Sequence, residues 1–454
     1  MNAVPSVISQ VVSNDMCIGC GVCVATCPNN ALSMTWNESG FLVASTNENA
    51  CDSDSGCIKV CPFNPEPDPN LANENLLASK FLPSSNSQSQ RIGHYNELFA
   101  GFSTKYRATS SSGGIATFVV DKLLKQNEVQ HVISVGPVEQ DSIHYEYKIV
   151  SNVGELLATS KTRYHPVTLS ETLNIIKQLP GKVAISGVAC FLKGVRLAQA
   201  HDPVLAEKVH FLVGIICGGV KSRFFTEYLA SKAGADPNGF DTPEYRVKDE
   251  RSSATDYSFS CDDRKTRTLK QIKMREVGDM WGTGLFKANA CDYCDDVTTE
   301  LADISLGDAW IEPYRSEGQG TNIVITRSAL ASDIISRGIA TGELVLDEIS
   351  VQQVISSQQG SFNHRQDAIG IRMANAASNG VKIAPKRHGL DKLPFHRKIV
   401  QRLRRHTRAR SLEVWKRTKN SEQFDRSMHS SLLSLRLVTR AAQLLNTLKG
   451  LLRG

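Results

Sequence analysis

Cys17, Cys20, Cys23 and Cys27 stand in the run CIGCGVCVATCP, which closes at Pro28. Its spacing, C-x2-C-x2-C-x3-C-P, is that of bacterial ferredoxins, whose thiolates hold 4Fe-4S clusters. Three thiols at i, i+3 and i+6 wrap one face of a cluster, and the fourth turns away to serve a neighbour. A second run, CDSDSGCIKVCP, has Cys51, Cys57 and Cys61 on the same register, with Asp54 at the second cysteine position. The paired runs predict one cluster on Cys17, Cys20, Cys23 and Cys61. They predict a second on Cys51, Cys57 and Cys27, with Asp54 facing its remaining iron. Carboxylate is a harder ligand than thiolate and holds iron less firmly. The second centre is therefore expected as an Asp-ligated 4Fe-4S cluster or as 3Fe-4S, against the bland reading of a loop with no second cluster. A zinc knuckle is the competing metal reading, although zinc sites rarely use a run ending in Cys-Pro.

Five cysteines remain. Cys190 ends ISGVAC, Cys217 ends FLVGIIC, and Cys291 and Cys294 form CDYC. Cys190 and Cys217 fall at strand exits, where α/β sheets place functional residues. The four could complete one site, and spacing alone leaves zinc open as the metal. Cys261 fits none of these patterns and reads as a bystander.

The elements that must position these thiols are legible in outline. SSSGG (Ser110 to Gly114) runs into the apolar-periodic IATFVVDKLLKQNEV, a predicted helix, and then HVISVG, a predicted strand. KVAISG and VHFLVGIIC are continuous apolar runs of strand length, as buried strands are. TNIVITRS and ELVLDEIS supply later strands, so a mixed or mostly parallel sheet with helices packed on it is expected.

Of the 454 residues, 41% are hydrophobic and 22% charged, as in a water-soluble globular chain. The start, MNAVPSVISQVV, lacks a signal-peptide pattern. A cytoplasmic location, where cysteines serve as ligands rather than disulfides, is the expectation. From Lys386 onward the sequence carries 18 basic and 4 acidic side chains, against 34 and 42 in the rest. Leu433, Leu437, Ala441, Leu444, Leu448 and Leu451 recur at helical spacing there, with Arg436 and Arg440 toward another side. This tail is expected to lie on an anionic membrane surface at its inner face, or to pack on the acidic body or a second subunit. Nucleic acid is disfavoured, because no reading motif or interleaved aromatics accompany the charge.

SSSGG, ISGVACFLKGVR, GIICGGVKS, YRVKD, CDYC and ADISLGDAW follow one another in that order. The ordered set resembles the beta subunits of coenzyme F420 hydrogenases and dehydrogenases, including relatives with N-terminal ferredoxin motifs found in bacterial polysaccharide gene clusters. The resemblance covers about residues 10 to 345. It implies a flavoprotein holding FAD beside a further 4Fe-4S cluster, which falls on Cys190, Cys217, Cys291 and Cys294. It places FAD near Ser110, Ser111, Ser112, Gly113 and Gly114, and against SKTRY. There Lys161 and Arg163 would neutralise a pyrophosphate or a flavin anion, unless they are simply a solvated basic loop. A Gly-rich turn opening a helix offers free N–H groups to phosphate.

The expected fold is α+β or α/β in six parts. Residues 1–75 form a small ferredoxin-like two-cluster domain and 76–93 a linker. Residues 94–175 and 176–350 form the flavin-binding α/β body, 351–385 a connecting segment and 386–454 a basic helical tail. Clusters pass single electrons and flavins handle one or two. The sequence thus points to an iron–sulfur flavoprotein oxidoreductase fed by ferredoxin or another redox partner, or to a relay subunit whose chemistry occurs on a partner. A homo-oligomer is also compatible. Catalytic side chains are not identified, since Asp303 and Asp308 read as structural strand-end residues.

Overall fold

The computed structural model describes residues 4–47, 51, 56–140, 143–389 and 393–451. Fifteen strands follow in chain order: β1 Leu32–Trp36, β2 Leu42–Thr46, β3 Ser87–Ser89, β4 Gly93–Tyr95, β5 Glu97–Ser103, β6 His131–Gln140, β7 Ile143–Val150, β8 Val183–Val188, β9 Val209–Ile215, β10 Phe240–Val247, β11 Ser258–Asp263, β12 Thr268–Lys273, β13 Ile304–Asp308, β14 Asn322–Thr326 and β15 Leu344–Glu348. Eight of them form the body sheet, in the order β15-β5-β14-β13-β9-β8-β6-β7. Its centre, β13-β9-β8-β6, is parallel, and its remaining pairs are antiparallel. The sheet is thus mixed, with parallel pairing where the apolar runs predicted buried strands.

Alternation along those strands feeds two cores. Ala184 and Phe211 point to one face, against the helices Ile115–Lys125 and Ala329–Ala340. Ile185 and Leu212 point to the other, where the helix Ala189–His201 packs. That second core also contains Val22, Cys20, Cys23 and Phe63 from the N-terminal region. The β1–β2 hairpin and its cysteine loops therefore sit directly on the helix that begins beside Cys190. β10-β11-β12 make a separate antiparallel sheet.

Residues 76–93, expected as a linker, are instead folded. Asn73 caps the helix Glu74–Phe81, Leu77 and Ile92 are fully buried, and β3 pairs with β4. Ser and Asn suggested flexibility there, but Leu77, Ala78, Leu82 and Ile92 are used in packing.

The tail is two helices, Phe395–Thr418 and Ser421–Leu451, packed side by side. Its basic residues find acidic partners on the body: Arg408 with Asp292 at 3.3 Å, Lys416 with Glu38, and Lys419 with Glu227. Trp415, Phe424 and Met428 are buried among Phe225, Tyr228 and Phe286. The tail thus begins as part of the body. Leu433, Leu437 and Leu444 remain exposed, beside the exposed Arg436 and Arg440. Among the described residues no helix is long and apolar enough to cross a membrane.

Trp415 also donates its indole N–H to Glu227 at 2.7 Å. Truncation of a fully buried aromatic costs about 3–5 kcal/mol. Trp415→Ala is therefore expected to lower the denaturant midpoint by that equivalent, whereas an unchanged midpoint would mean the tail is not docked.

Candidate functional site

Tight loops gather the N-terminal thiols. Gly21, at φ 75°, turns the chain between Cys20 and Cys23, and a Cβ there would collide with Thr168. Cys17, Cys20, Cys23 and Cys61 line one concavity. Cys27, Cys51 and Cys57 line a second, walled by Pro5, Pro28 and Leu32. Cys61 thus crosses to the first group and Cys27 to the second. Asp54 lies outside the described residues.

These thiols are in a chemically demanding place. Burial, followed by the neighbouring Cys17, pushes Cys20 up to about 12. Burial and then facing thiols raise Cys23 and Cys61 well above the ordinary range. Ligation needs the thiolate, so iron binding here displaces protons that are tightly held. Backbone N–H groups compensate. The Ala44 and Gly19 amides lie near Cys17 and the Val22 amide near Cys20, and Ala31 donates to Cys27 Sγ at 3.2 Å.

The body groups its own four thiols. Cys190 lies in the first turn of the helix after β8, and Cys217 lies just beyond β9. Cys291 is in the short 3-10 turn Asn289–Tyr293, with Cys294 next after it. Cys190 faces Cys294, Cys291 and Cys217, and also Cys20. The body group therefore adjoins the first N-terminal group, with Tyr147 facing both Cys190 and Cys20. Gly219 and Val220 donate N–H bonds to Cys217 and Cys291, each at 3.2 Å. Asp292, between the CDYC cysteines, is buried, which alone would raise it. Lys287, His364 and Arg408 hold it well below the usual carboxylate range.

Among the described residues, no three or more His, Cys, Asp and Glu side chains converge on a point suited to one metal ion. A zinc ion would need that, since four thiolates 2.3 Å from a tetrahedral centre lie roughly 3.8 Å apart. A 4Fe-4S cluster gives each thiolate its own iron and spreads them wider. Four grouped thiols are the donor set that a 4Fe-4S cluster takes, one thiolate to each iron. Cys261 is buried in β11, where its charged neighbours are Asp262, Asp263 and Lys270 rather than thiols.

Ser110 to Gly114 form the turn into the helix Ile115–Lys125, and Gly114 caps it at φ 80°. A Cβ on Gly114 would meet the Tyr106 carbonyl carbon at 2.5 Å. The Thr162 amide donates to Ser111 Oγ at 2.9 Å, which joins SSSGG to SKTRY. Lys248, from YRVKD, donates to the carbonyls of Arg107 and Ser112. Burial, then the charges of Arg107, Lys161 and Arg246, lower Lys248 to about 8. Of these cations, Arg107 pairs with Glu317 at 2.7 Å and Arg246 with Asp308. Lys161 belongs to that group, whereas Arg163 lies over the Tyr145 ring at 4.7 Å, with its buried Nε unpaired.

An aromatic wall leads from this turn toward Cys217. Arg246 pairs with Asp308 at 2.6 Å, stacks on Tyr257 and Trp310, and has Tyr164 as a neighbour. Tyr164 meets Trp281 edge-on at 4.8 Å. Trp281 in turn touches the Gly218 backbone closely enough that a Cβ there would sit 3.0 Å from its ring. Lys221, fixed to the Met280 and Leu285 carbonyls, holds that loop. Asp303 is bonded to Arg196 and the Leu212 amide, a structural arrangement. Sequence reasoning did not single out Lys248, Arg107 or Trp281. Lys248 lay within a quoted motif, but nothing local reveals that it faces residue 112.

Grouped thiols beside a cationic turn define an iron–sulfur redox protein, and comparison with known proteins gives its family. Residues 98–174 and 181–352 match the N-terminal and C-terminal models of the coenzyme F420 hydrogenase/dehydrogenase beta subunit, and residues 16–64 match a 4Fe-4S dicluster domain. The chain belongs to the family of coenzyme F420 hydrogenase/dehydrogenase beta subunits and carries a 4Fe-4S dicluster domain. It is similar to one subunit of the F(420)H(2) dehydrogenase of Methanosarcina mazei, 21% identical over 310 residues, 67% of this chain and 78% of that one. It is 22% identical over 314 residues to the coenzyme F420-dependent sulfite reductase of Methanocaldococcus jannaschii, covering 66% of this chain but 43% of that protein. A ferredoxin of Pyrobaculum islandicum is 40% identical over 52 residues, 12% of this chain and 45% of the ferredoxin. One polypeptide of the F420-reducing NiFe hydrogenase complex of Methanosarcina barkeri shares the fold, with TM-score 0.51, 17% identity, and coverage of 66% of this chain and 99% of that one.

Cys190→Ser is expected to lower iron from about twelve to about eight per chain while the N-terminal paramagnetic signals persist. Cys61→Ser is expected to remove an N-terminal signal and leave the body signal. Unchanged iron in Cys190→Ser would show that the body thiols hold none.

Proposed function

We propose that this chain is an iron–sulfur flavoprotein oxidoreductase subunit with an internal electron path. Its stations are the Cys27/Cys51/Cys57 group, the Cys17/Cys20/Cys23/Cys61 group, the Cys190/Cys217/Cys291/Cys294 group and an FAD. The observation that carries the reading is the order of neighbouring groups. Cys20 faces Cys190, and Cys217 leads through Gly218 to Trp281 and on to the cationic Ser-Gly turn. Clusters exchange single electrons and a flavin one or two, so such a path connects a one-electron donor to hydride chemistry.

The residues present fit the proposed FAD. Lys248 and Lys161 would pair its diphosphate at the helix opening. Trp281 and Tyr164, meeting edge to face, offer ring surface toward the body thiols, and Asp308 pairs with Arg246 next to Tyr164. The one-electron partner would be a ferredoxin or another redox protein, and the two-electron partner an organic acceptor. The deazaflavin named in two relatives is the first to test. A second reading, a relay subunit serving a partner enzyme, is favoured by the relative that is itself named as a subunit.

Anaerobic mixing of the FAD-loaded full chain with reduced ferredoxin distinguishes the two. Flavin bleaching followed by reoxidation with oxidised F420 or another acceptor supports the oxidoreductase. Cluster reduction with the flavin left oxidised, or a chain that takes up no FAD on loading, leaves the relay.

Lys248 gives a pH signature. Its charge is present below about 8 and lost as pH rises through that value. FAD affinity is therefore expected to be flat below pH 7 and to fall above pH 8, and Lys248→Arg is expected to remove the fall. Lys248→Ala is expected to weaken FAD by about 10- to 100-fold, the equivalent of one charge-assisted hydrogen bond. Equilibrium titration of the apoflavin chain reads both.

A further inference from the structure

The loop from Cys291 to Asp296 is clamped by residues C-terminal to the matched segments, which end at 352. Arg372 Nε donates to the Asp292 carbonyl at 2.5 Å, and Gln366 Nε2 to the Asp295 carbonyl at 3.2 Å. The Arg387 amide donates to the Asp295 carboxylate at 3.1 Å, and Arg365 to the Asp296 carbonyl at 3.0 Å. Arg365 also lies beside the thiols themselves. It is 4% exposed, shares the Asp296 carbonyl oxygen with Cys294 Sγ, which lies 3.6 Å from it, and has Cys294, Cys217 and Cys291 as its nearest charge neighbours. Its hydrogen-bond acceptor is a neutral carbonyl, and the Asp296 carboxylate ranks behind the three thiols among its charge neighbours.

Cluster potentials respond to net charge, hydrogen bonds to sulfur and solvent exposure. Arg365 acts through the first and the last, because it is cationic and buried beside the thiols. A fixed positive charge in a low-dielectric interior favours the more negative, reduced state of whatever it faces. We propose that Arg365 is the positioning residue that raises the reduction potential of the body centre, drawing electrons inward from the N-terminal centres. The inference rests on the reading that Cys190, Cys217, Cys291 and Cys294 hold a cluster. In the step it favours, one electron leaves an N-terminal centre and enters the body centre, with no bond made or broken. The residue doing so is supplied by the segment beyond 352, so that segment tunes the body as well as covering it.

The test is a potentiometric titration of the anaerobic full-length protein, followed by electron paramagnetic resonance. Wild type, Arg365→Gln and Arg365→Lys are compared, with iron counted in each. The expected result is a lower midpoint for the body centre in Arg365→Gln, unmoved N-terminal midpoints, and a value near wild type in Arg365→Lys. A full complement of iron with an unmoved body midpoint in Arg365→Gln would overturn the tuning role. Loss of about four irons in Arg365→Gln would make Arg365 a structural residue and would equally overturn it. A wild-type protein with no body signal would instead sink the reading beneath it, a failure the iron count separates from the others.

Discussion

Buried thiols cannot share a small space as thiolates without a cation among them. Cys23 and Cys61 face one another's group inside the protein, and Cys190 faces three thiols of its own group, all raised by burial and by mutual proximity. A free protein keeps such groups protonated, whereas an iron–sulfur core removes the protons and supplies the positive charge. Much else in the molecule follows from that constraint. Backbone amides turn inward to the sulfurs, glycines accept left-handed φ to bring loops close, and cationic side chains gather around CDYC.

The same constraint explains why the N-terminal region is not an independent appendage. Its thiol groups are useful to the body only at short range, and the shared core of Val22, Phe63, Leu169 and Val195 fixes that range. The second thiol group, near Pro5 and Pro28, stands on the far side of this series of groups. The Ser-Gly turn and its lysines stand at the other end. The C-terminal segment then closes the middle station, using Asp292 as the buried anion that Lys287, His364 and Arg408 converge on.

What was legible in the sequence was whatever local spacing dictates. The ferredoxin runs, the strand-end positions of Cys190 and Cys217, and the helix after Gly114 all follow from short patterns whose geometry is set within a few residues. Asp54 falls outside the described residues, so its register stays an expectation. The segment 76–93 was misread because Ser and Asn content says little about whether Leu77 and Ile92 find a core. The tail's charge was visible, but its partners, Glu227 and Asp292, are distant in sequence, so docking could not be read from periodicity. Lys161 was placed with the Ser-Gly turn and Arg163 with Tyr145, a division that two residues of spacing cannot reveal. Arg365 was invisible for the same reason: nothing near it in sequence suggests thiols.

The central claim is that one chain holds a continuous path from one-electron clusters to a flavin. Counting iron, acid-labile sulfide and flavin on anaerobically purified protein tests it most directly. The account predicts about twelve irons, or eleven if the Asp54 centre rests as 3Fe-4S, with matching sulfide and one FAD. About eight irons and no flavin would contradict it, leaving a two-cluster protein without the body centre that joins the two ends.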